Sequence, residues 1–144
     1  MKDASKTMRS AAWLGLGLIW LGSTAFAQSK NMDMGKQEFE THCAVCHASS
    51  GKGDGPYVPM LRQPPSDLTT LAKRNGGILP VNRIYETIEG GDVPSHGSRE
   101  MPIWGSAFRV QAGEYYFDTP YNPETYVRSR ILTLVEYINR LQVR

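Results

Sequence analysis

The stretch Cys43-Ala44-Val45-Cys46-His47 contains both cysteines of this 144-residue chain and places a histidine directly after the second one. Two thiols at Cys-x-x-Cys spacing can add across the two vinyl groups of one porphyrin. The adjoining histidine is then held beneath the iron as an axial ligand. The stretch therefore predicts one covalently attached haem, bound through Cys43 and Cys46, with His47 on the iron.

Other uses of these cysteines are weaker. A redox-active dithiol or a structural disulfide leaves the adjoining His47 unexplained. A zinc site needs two further ligands at a suitable spacing, and the chain has no third cysteine. Haem attachment accounts for both thiols and for the histidine.

The first 27 residues have the three parts of a secretory signal peptide. Lys2, Lys6 and Arg9 form a positive start, and residues 11–21 form an uncharged, mostly apolar core. Ala25-Phe26-Ala27 matches the small-x-small pattern of a cleavage site. The pattern predicts export of the chain and cleavage before Gln28.

We therefore expect a signal peptide over residues 1–27 and one domain over residues 28–144, located in the periplasm. An uncleaved membrane anchor is the alternative, and membrane contact would then follow from it. The apolar core has 11 residues, whereas a helix that spans a bilayer needs about 20. Cleavage is the better reading.

Composition limits the class of protein. Removal of the first 27 residues takes the basic residues from 16 to 13 and the acidic residues from 14 to 13, so the mature charge is near zero. No basic stripe with interleaved aromatic residues remains, which argues against a nucleic-acid partner. The 14 glycines and 9 prolines suit short helices joined by long loops. We expect a monomer in which haem supplies much of the core.

Three helices are predicted from apolar periodicity and capping signals, and together they predict an all-α fold. The first begins at Asp33 as N-cap and delivers Cys43 at its end. The second begins after Pro80 and ends at Gly90. The third begins at Asn122 as N-cap and closes the chain. Their apolar positions are Gly35 and Phe39, then Val81, Ile84, Tyr85 and Ile88, then Val127, Ile131, Leu134, Ile138 and Leu141, with a short turn over 68–71.

The glycine-rich loop over residues 51–56 lacks the Gly-x-x-x-x-Gly-Lys-Ser/Thr pattern of a phosphate-binding loop. Glycine allows a backbone to approach its neighbour closely because it has no β-carbon. We expect this loop to approach a flat cofactor.

Met101 is the best candidate for the opposite face of the iron. It lies 54 residues after His47, which is enough chain to pass around the edge of a haem. Pro102 biases Met101 towards an extended conformation, which suits a loop that presents a side chain. His96 is the rival ligand, since imidazole also binds iron well. The remaining candidates, closer in sequence to His47, are Met32, Met34 and Met60.

Together these features resemble the class I c-type cytochromes, the small monohaem electron carriers with histidine and methionine ligands. The resemblance covers essentially all of residues 28–144. It rests on Gly35 and Phe39 before the haem motif, on Gly53-Asp54-Gly55-Pro56, on Met101-Pro102-Ile103-Trp104, and on Leu134 and Tyr137 in the last helix.

The resemblance implies a cytochrome c-like fold in which the first and last helices cross, with Tyr137 or Leu134 close to Gly35. It also implies that the Pro56 carbonyl accepts a hydrogen bond from the ring of His47 and so fixes the orientation of that ligand. The residues that the resemblance places near the haem propionates are Tyr57, Arg62 and Trp104.

The sequence departs from compact members of this class over residues 113–122, which are longer and more aromatic than expected. These aromatic residues either pack under the last helix or form a surface for a redox partner. They are Tyr115, Tyr116, Phe117 and Tyr121.

The expected function is electron transfer between a donor and an acceptor protein, with the haem iron cycling between ferric and ferrous states and no bond made in a substrate. One alternative is a haem enzyme or gas-binding protein with an open sixth position, where His96 could act as an acid–base group. A second alternative is a cytochrome subunit of a larger periplasmic oxidoreductase.

Overall fold

The computed structural model describes residues 32–91, 101–118, 120 and 122–143, and these residues form helices and loops with no strand among them. The all-α prediction is confirmed. The predicted signal peptide, His96 and Tyr121 lie outside the described residues. None of the described helices combines the length and hydropathy needed to cross a membrane. In chain order the α-helices are α1 (Met34–Glu38), α2 (Ala44–His47), α3 (Leu71–Arg74), α4 (Val81–Glu89), α5 (Trp104–Tyr115) and α6 (Pro123–Arg140).

The helix that bears the haem motif begins as predicted at Asp33. The Asp33 carboxylate accepts a hydrogen bond of 2.9 Å from the Lys36 N–H and so satisfies one donor of the first turn. The helix continues from α1 through a π-helical turn, Phe39–Cys43, into α2. In this wider turn the Ala44 N–H bonds to the Phe39 carbonyl, five residues back. The turn therefore adds one residue to the helix just before the haem motif.

The last helix, α6, has the predicted buried stripe and crosses the first helix. Asn122 caps it by accepting a hydrogen bond within the first turn. A β-carbon on Gly35 would collide with the Thr133 carbonyl oxygen, so the crossing requires glycine at this position. The rings of Phe39 and Tyr137 lie 5.1 Å apart at the same place. The predicted crossing is confirmed. The buried residues of α6 are Val127, Ile131, Leu134, Val135, Tyr137 and Ile138.

The second predicted helix is α4, which begins after Pro80 and ends at Gly90 in a left-handed conformation with φ of 97°. Glycine adopts this conformation without steric cost and is the usual helix stop. Ile84 and Ile88 are buried, as the periodicity predicts. The predicted turn near residue 68 is a 3-10 turn, Leu68–Thr70, that leads into α3.

The sequence pattern does not predict α5. Phe108 and Ala112 are buried on one side of this helix, but Val110 is 62% exposed on another, so no clean apolar stripe can be read. Gly105 and Gly113 also lower its intrinsic helix propensity. The expected aromatic loop from residue 113 therefore begins inside a helix and is shorter than predicted.

Candidate haem site

A cavity of about 340 Å³ lies between the first helix, α3, α4 and α6. Ligand pockets in proteins typically measure about 300–1,000 Å³. Cys43, His47 and Met101 all belong to the wall of this cavity. The rest of the wall is mostly apolar and includes Phe39, Leu68, Leu71, Ile84, Ile88 and Ile138.

The two cysteines are free thiols in the half-buried part of the first helix. Burial raises the pKa of the Cys43 thiol to about 12, with smaller contributions from the negative charge of Glu38 and from Cys46. Burial also raises the pKa of Cys46. Redox-active cysteines instead have a lowered pKa, because the thiolate is the nucleophile. The electrostatics of the site therefore disfavour the dithiol alternative.

His47 is 8% exposed, and its Nδ1 atom lies 3.1 Å from the carbonyl oxygen of Ser66. A carbonyl oxygen can only accept, so this hydrogen bond places the ring proton on Nδ1. Nε2 then keeps its lone pair, which is the form of imidazole that binds a metal. A second contact of this kind fixes both the tautomer and the orientation of a ligand.

The acceptor for His47 differs from the predicted one: it is Ser66 and not Pro56. Pro56 lies between two backbone hydrogen bonds, one from the Gly55 N–H to the Cys46 carbonyl and one from the Tyr57 N–H to the Val45 carbonyl, each 3.0 Å long. These bonds hold Pro56 in an exposed position beside the haem motif. The carbonyl that reaches the ring therefore comes from further along the chain.

The glycines of the 51–56 loop approach protein backbone. A β-carbon on Gly55 would lie 2.6 Å from the carbonyl carbon of Cys46. A β-carbon on Gly53 would collide with the carbonyl oxygen of Pro65. Because Pro65 precedes the Ser66 acceptor, the glycines bring the segment that orients His47 against the haem motif. The expectation of an approach to a flat cofactor thus needs correction, since the close neighbours are peptide groups.

Met101 is half-buried and lines the same cavity as His47, although the two are 54 residues apart in sequence. The other described methionines are more exposed and are not among the lining residues. Met32 is 68% exposed, Met34 44% and Met60 76%. Of the candidate sulfur ligands that the structure describes, Met101 is the one placed to face a group bound in the cavity.

Comparison with protein-family models matches the model described as Cytochrome c over residues 32–141. The chain belongs to the cytochrome c family. Its cofactor is therefore haem c, an iron porphyrin bound covalently to the chain, and the predicted c-type cytochrome is confirmed. Searches of the curated proteins and of the solved structures gave no significant match.

The cavity of this cytochrome c fits a haem in its chemistry. Its apolar wall suits the macrocycle, and two thiols, an imidazole and a thioether stand along it or beside it. Two guanidinium groups, Arg74 and Arg83, also line the cavity, and the lining residues that the structure describes include no carboxylate. Arg74 is anchored, since its Nη2 donates a hydrogen bond of 2.8 Å to the Asp67 carbonyl. Two cations on an otherwise apolar wall match the two anionic propionates of a haem.

The residues predicted to contact the propionates lie elsewhere. Tyr57 is 51% exposed and Arg62 is exposed. The ring of Trp104 packs against His42, with centroids 4.8 Å apart. None of the three is among the described residues that line the cavity.

Sequence reasoning missed Arg74 and Arg83. A signal existed for Arg83, because it falls on the face of α4 that also presents Ile84 and Thr87 to the cavity. A cation on the core side of a helix is uncommon and marks a charged ligand or a buried partner. Arg74 gave no comparable signal, since it sits at the end of a one-turn helix.

Proposed function

We propose that this cytochrome c is a periplasmic electron carrier whose single haem is attached through Cys43 and Cys46 and ligated by His47 and Met101. One observation supports it above all: His47 and Met101 line a single apolar cavity. When both axial positions are filled, electron transfer needs little rearrangement of the iron and small molecules are kept away from it. A thioether ligand also raises the potential relative to a second imidazole.

Each group of residues has a separate task in this proposal. The bound haem supplies one-electron cycling between ferric and ferrous iron. The two cysteines tether it, and the bond from His47 to Ser66 orients the imidazole. The apolar wall excludes water. Arg74 and Arg83 balance the charge of the propionates, which would otherwise be costly near an apolar cavity.

The test is the absorption spectrum of the purified protein together with carbon monoxide binding. Sulfur ligation predicts a weak charge-transfer band near the red end of the visible spectrum of the ferric form, and poor binding of carbon monoxide to the ferrous form. Met101→Ala should remove the band, open the site and lower the potential. Met101→His should restore six ligands at a lower potential, because imidazole lacks the preference of a thioether for ferrous iron.

Met60→Ala is the matched control, because Met60 is 76% exposed and does not line the cavity. It should leave the band and the potential unchanged. If the wild type lacks the band, binds carbon monoxide readily and responds to His96→Ala instead of Met101→Ala, the haem enzyme or gas-binding alternative replaces electron transfer.

The location is tested separately. Export predicts a mature N-terminus at Gln28 and holoprotein in a periplasmic extract. Recovery only from membranes with Met1 intact would support an anchored form. A holoprotein that purifies alone and exchanges electrons with added redox proteins supports a free carrier, whereas constant co-purification with other chains supports a fixed subunit of an oxidoreductase.

A further inference from the structure

A buried charge cluster lies behind the wall of the cavity and has no part in the proposed haem ligation. It consists of Glu38, His42 and Arg130, and we call it the Glu38 cluster. The Glu38 side chain is 7% exposed, and its Oε1 atom lies 2.8 Å from Nη2 of Arg130. Its Oε2 atom lies 3.8 Å from Nε2 of His42.

The cluster is incompletely satisfied. Oε2 of Glu38 and Nε of Arg130 are buried and have no hydrogen-bond partner in the described part of the chain. Buried polar atoms are normally bonded, so an exception calls for a reason. The Oε2 atom faces His42, a group that can gain a proton and a positive charge near neutral pH. A cation at His42 would answer the unsatisfied carboxylate oxygen.

The surroundings of His42 are known from every element that packs on it among the described residues. Glu38 faces it from its own helix. From α5, the ring of Trp104 lies 4.8 Å away and that of Phe108 lies 6.2 Å away, centroid to centroid, and neither ring titrates. From α6, Arg130 reaches the other oxygen of the same carboxylate. The side chain of His42 keeps 21% of its surface exposed, so protons can reach it from water.

The cluster is coupled in space to the haem site. Phe39 and Cys43 line the cavity, and each directly follows a member of the cluster, Glu38 and His42. The charge of Glu38 contributes to the raised pKa of Cys43, so the field of the cluster reaches a sulfur that tethers the haem. Because electrostatic coupling is reciprocal, a change of charge at the haem also acts on the cluster.

We propose that the Glu38 cluster couples electron uptake by the haem to proton uptake by His42. This inference rests on the proposed electron-transfer function. The haem takes one electron from its donor protein, and His42 takes up to one proton from water; no other bond forms or breaks. Reduction removes one positive charge from the haem, so the ferrous protein binds this proton more tightly. Unit charges about 12 Å apart at an effective dielectric of about 20 change proton affinity roughly tenfold.

The test is the midpoint potential of the holoprotein measured between about pH 5 and 8, the range in which histidine changes charge. The potential should fall as pH rises, because the proton that favours reduction is lost. His42→Gln should abolish this slope while the sulfur-to-iron band persists. Nuclear magnetic resonance titration of the His42 ring should give a higher midpoint in the ferrous than in the ferric protein, by roughly tenfold in proton affinity.

Matched variants separate the cluster from other groups. Glu38→Gln should weaken the slope, whereas Glu40→Gln, which removes an exposed carboxylate of the same helix paired with Lys36 at 3.7 Å, should not. If Glu38→Gln fails to fold because Arg130 is left unpaired, the double variant Glu38→Gln, Arg130→Gln should show the weakened slope instead. His96→Gln should keep the wild-type slope.

A potential that does not change over this range, or a slope that survives in His42→Gln or disappears in His96→Gln, would overturn the inference. Failure of the proposed electron-transfer function is recognised separately, by loss of the sulfur-to-iron band and ready binding of carbon monoxide in the wild type.

Discussion

The two candidate iron ligands are held in different ways. On the His47 side, which we define as residues 43–70, neighbouring backbone groups fix the ligand. The N–H groups of Gly53 and Gly55 donate to the carbonyls of His47 and Cys46, each at 3.0 Å. The Leu68 N–H donates to the Gly51 carbonyl at 2.7 Å and so closes the loop that includes Ser66. All of these partners lie within about one loop of the ligand in sequence.

On the Met101 side, which we define as α4, Met101 and α5, the ligand is placed by contacts between helices. A β-carbon on Gly90 would collide with the Ile103 side chain, and one on Gly105 would collide with the Glu89 carbonyl oxygen. The position of Met101 therefore depends on how closely α5 packs on α4. The comparison shows that local bonds fix the tethered ligand, whereas tertiary packing fixes the second one. Changes on the two sides should consequently have different outcomes.

The largest effect is expected on the His47 side. Cys46→Ala removes one of the two thioether bonds, so holoprotein should fall sharply or disappear. In the wild type, haem should stay with the polypeptide through acid–acetone extraction and denaturing electrophoresis. If haem were extracted quantitatively from the wild type, the assignment of thioether bonds would be wrong.

A second change on this side tests the loop rather than the tether. Gly55→Ala places a β-carbon 2.6 Å from the carbonyl carbon of Cys46, and a peptide group cannot move aside as a flexible side chain can. We expect a loss of at least about 1–3 kcal/mol in the free energy of unfolding, with lower holoprotein yield. Chemical unfolding and the haem content per chain measure both effects. Unchanged stability would show that the loop backbone shifts freely.

On the Met101 side, Gly105→Ala should loosen the contact between α5 and α4. We expect a loss of about 1–3 kcal/mol, a weaker sulfur-to-iron band and normal covalent haem. Gly113→Ala is the matched control in the same helix, since a β-carbon there has no neighbour within 4 Å. It should stabilise by up to about 1 kcal/mol, because alanine favours helix over glycine. If Gly105→Ala instead reduces haem attachment as much as Gly55→Ala, the two sides are not independent.

The same division explains what could be predicted from the sequence. The haem motif, the Asp33 and Asn122 caps and the α6 stripe depend on local spacing, and the structure confirms the caps and the stripe. The acceptor of His47 could not be predicted, because Ser66 reaches the ring only once the loop has closed. The α5 helix was missed because contacts with α4 and α6, and not an apolar period, stabilise it. Arg109 of α5 shows this, bonding to Glu124 at 2.7 Å.

A smaller effect is expected at Asp67, next to the Ser66 acceptor. Its carboxylate accepts hydrogen bonds from the Thr69 hydroxyl at 2.6 Å and the Thr69 N–H at 2.8 Å, and these bonds lower the pKa of Asp67. Asp67→Asn should cost about 1 kcal/mol at neutral pH. Since the folded pKa is the lower one, the wild type loses this contribution as pH falls through it.

The difference between wild type and Asp67→Asn should therefore shrink in acid, which chemical unfolding at neutral and strongly acid pH measures. Asp54→Asn, in the same loop and exposed, is the control. A difference that stays constant in acid would mean that the ionised carboxylate adds nothing to the stability of this segment.

The smallest effects are expected at the aromatic residues that follow α5, and two of them should behave differently. Tyr116 is half-buried, and its ring lies 5.9 Å from that of Tyr126 in α6, so it packs under the last helix. Tyr116→Ala should cost about 1 kcal/mol of stability through the lost aromatic pair. Phe117 is 84% exposed, and its replacement by alanine should change stability by less than about 0.5 kcal/mol.

Phe117→Ala should instead slow electron transfer with the native redox partner, because an exposed aromatic ring can dominate a small transient interface. Stopped-flow kinetics with the partner, beside chemical unfolding, separates the two roles. Leu132→Ala is the control, since it removes an exposed apolar side chain from α6, 47% exposed, at a different surface. Equal rates for wild type, Phe117→Ala and Leu132→Ala would exclude Phe117 from the docking surface. A large loss of stability in Phe117→Ala would show that its ring packs on the fold, and the predicted contrast with Tyr116 would then be wrong.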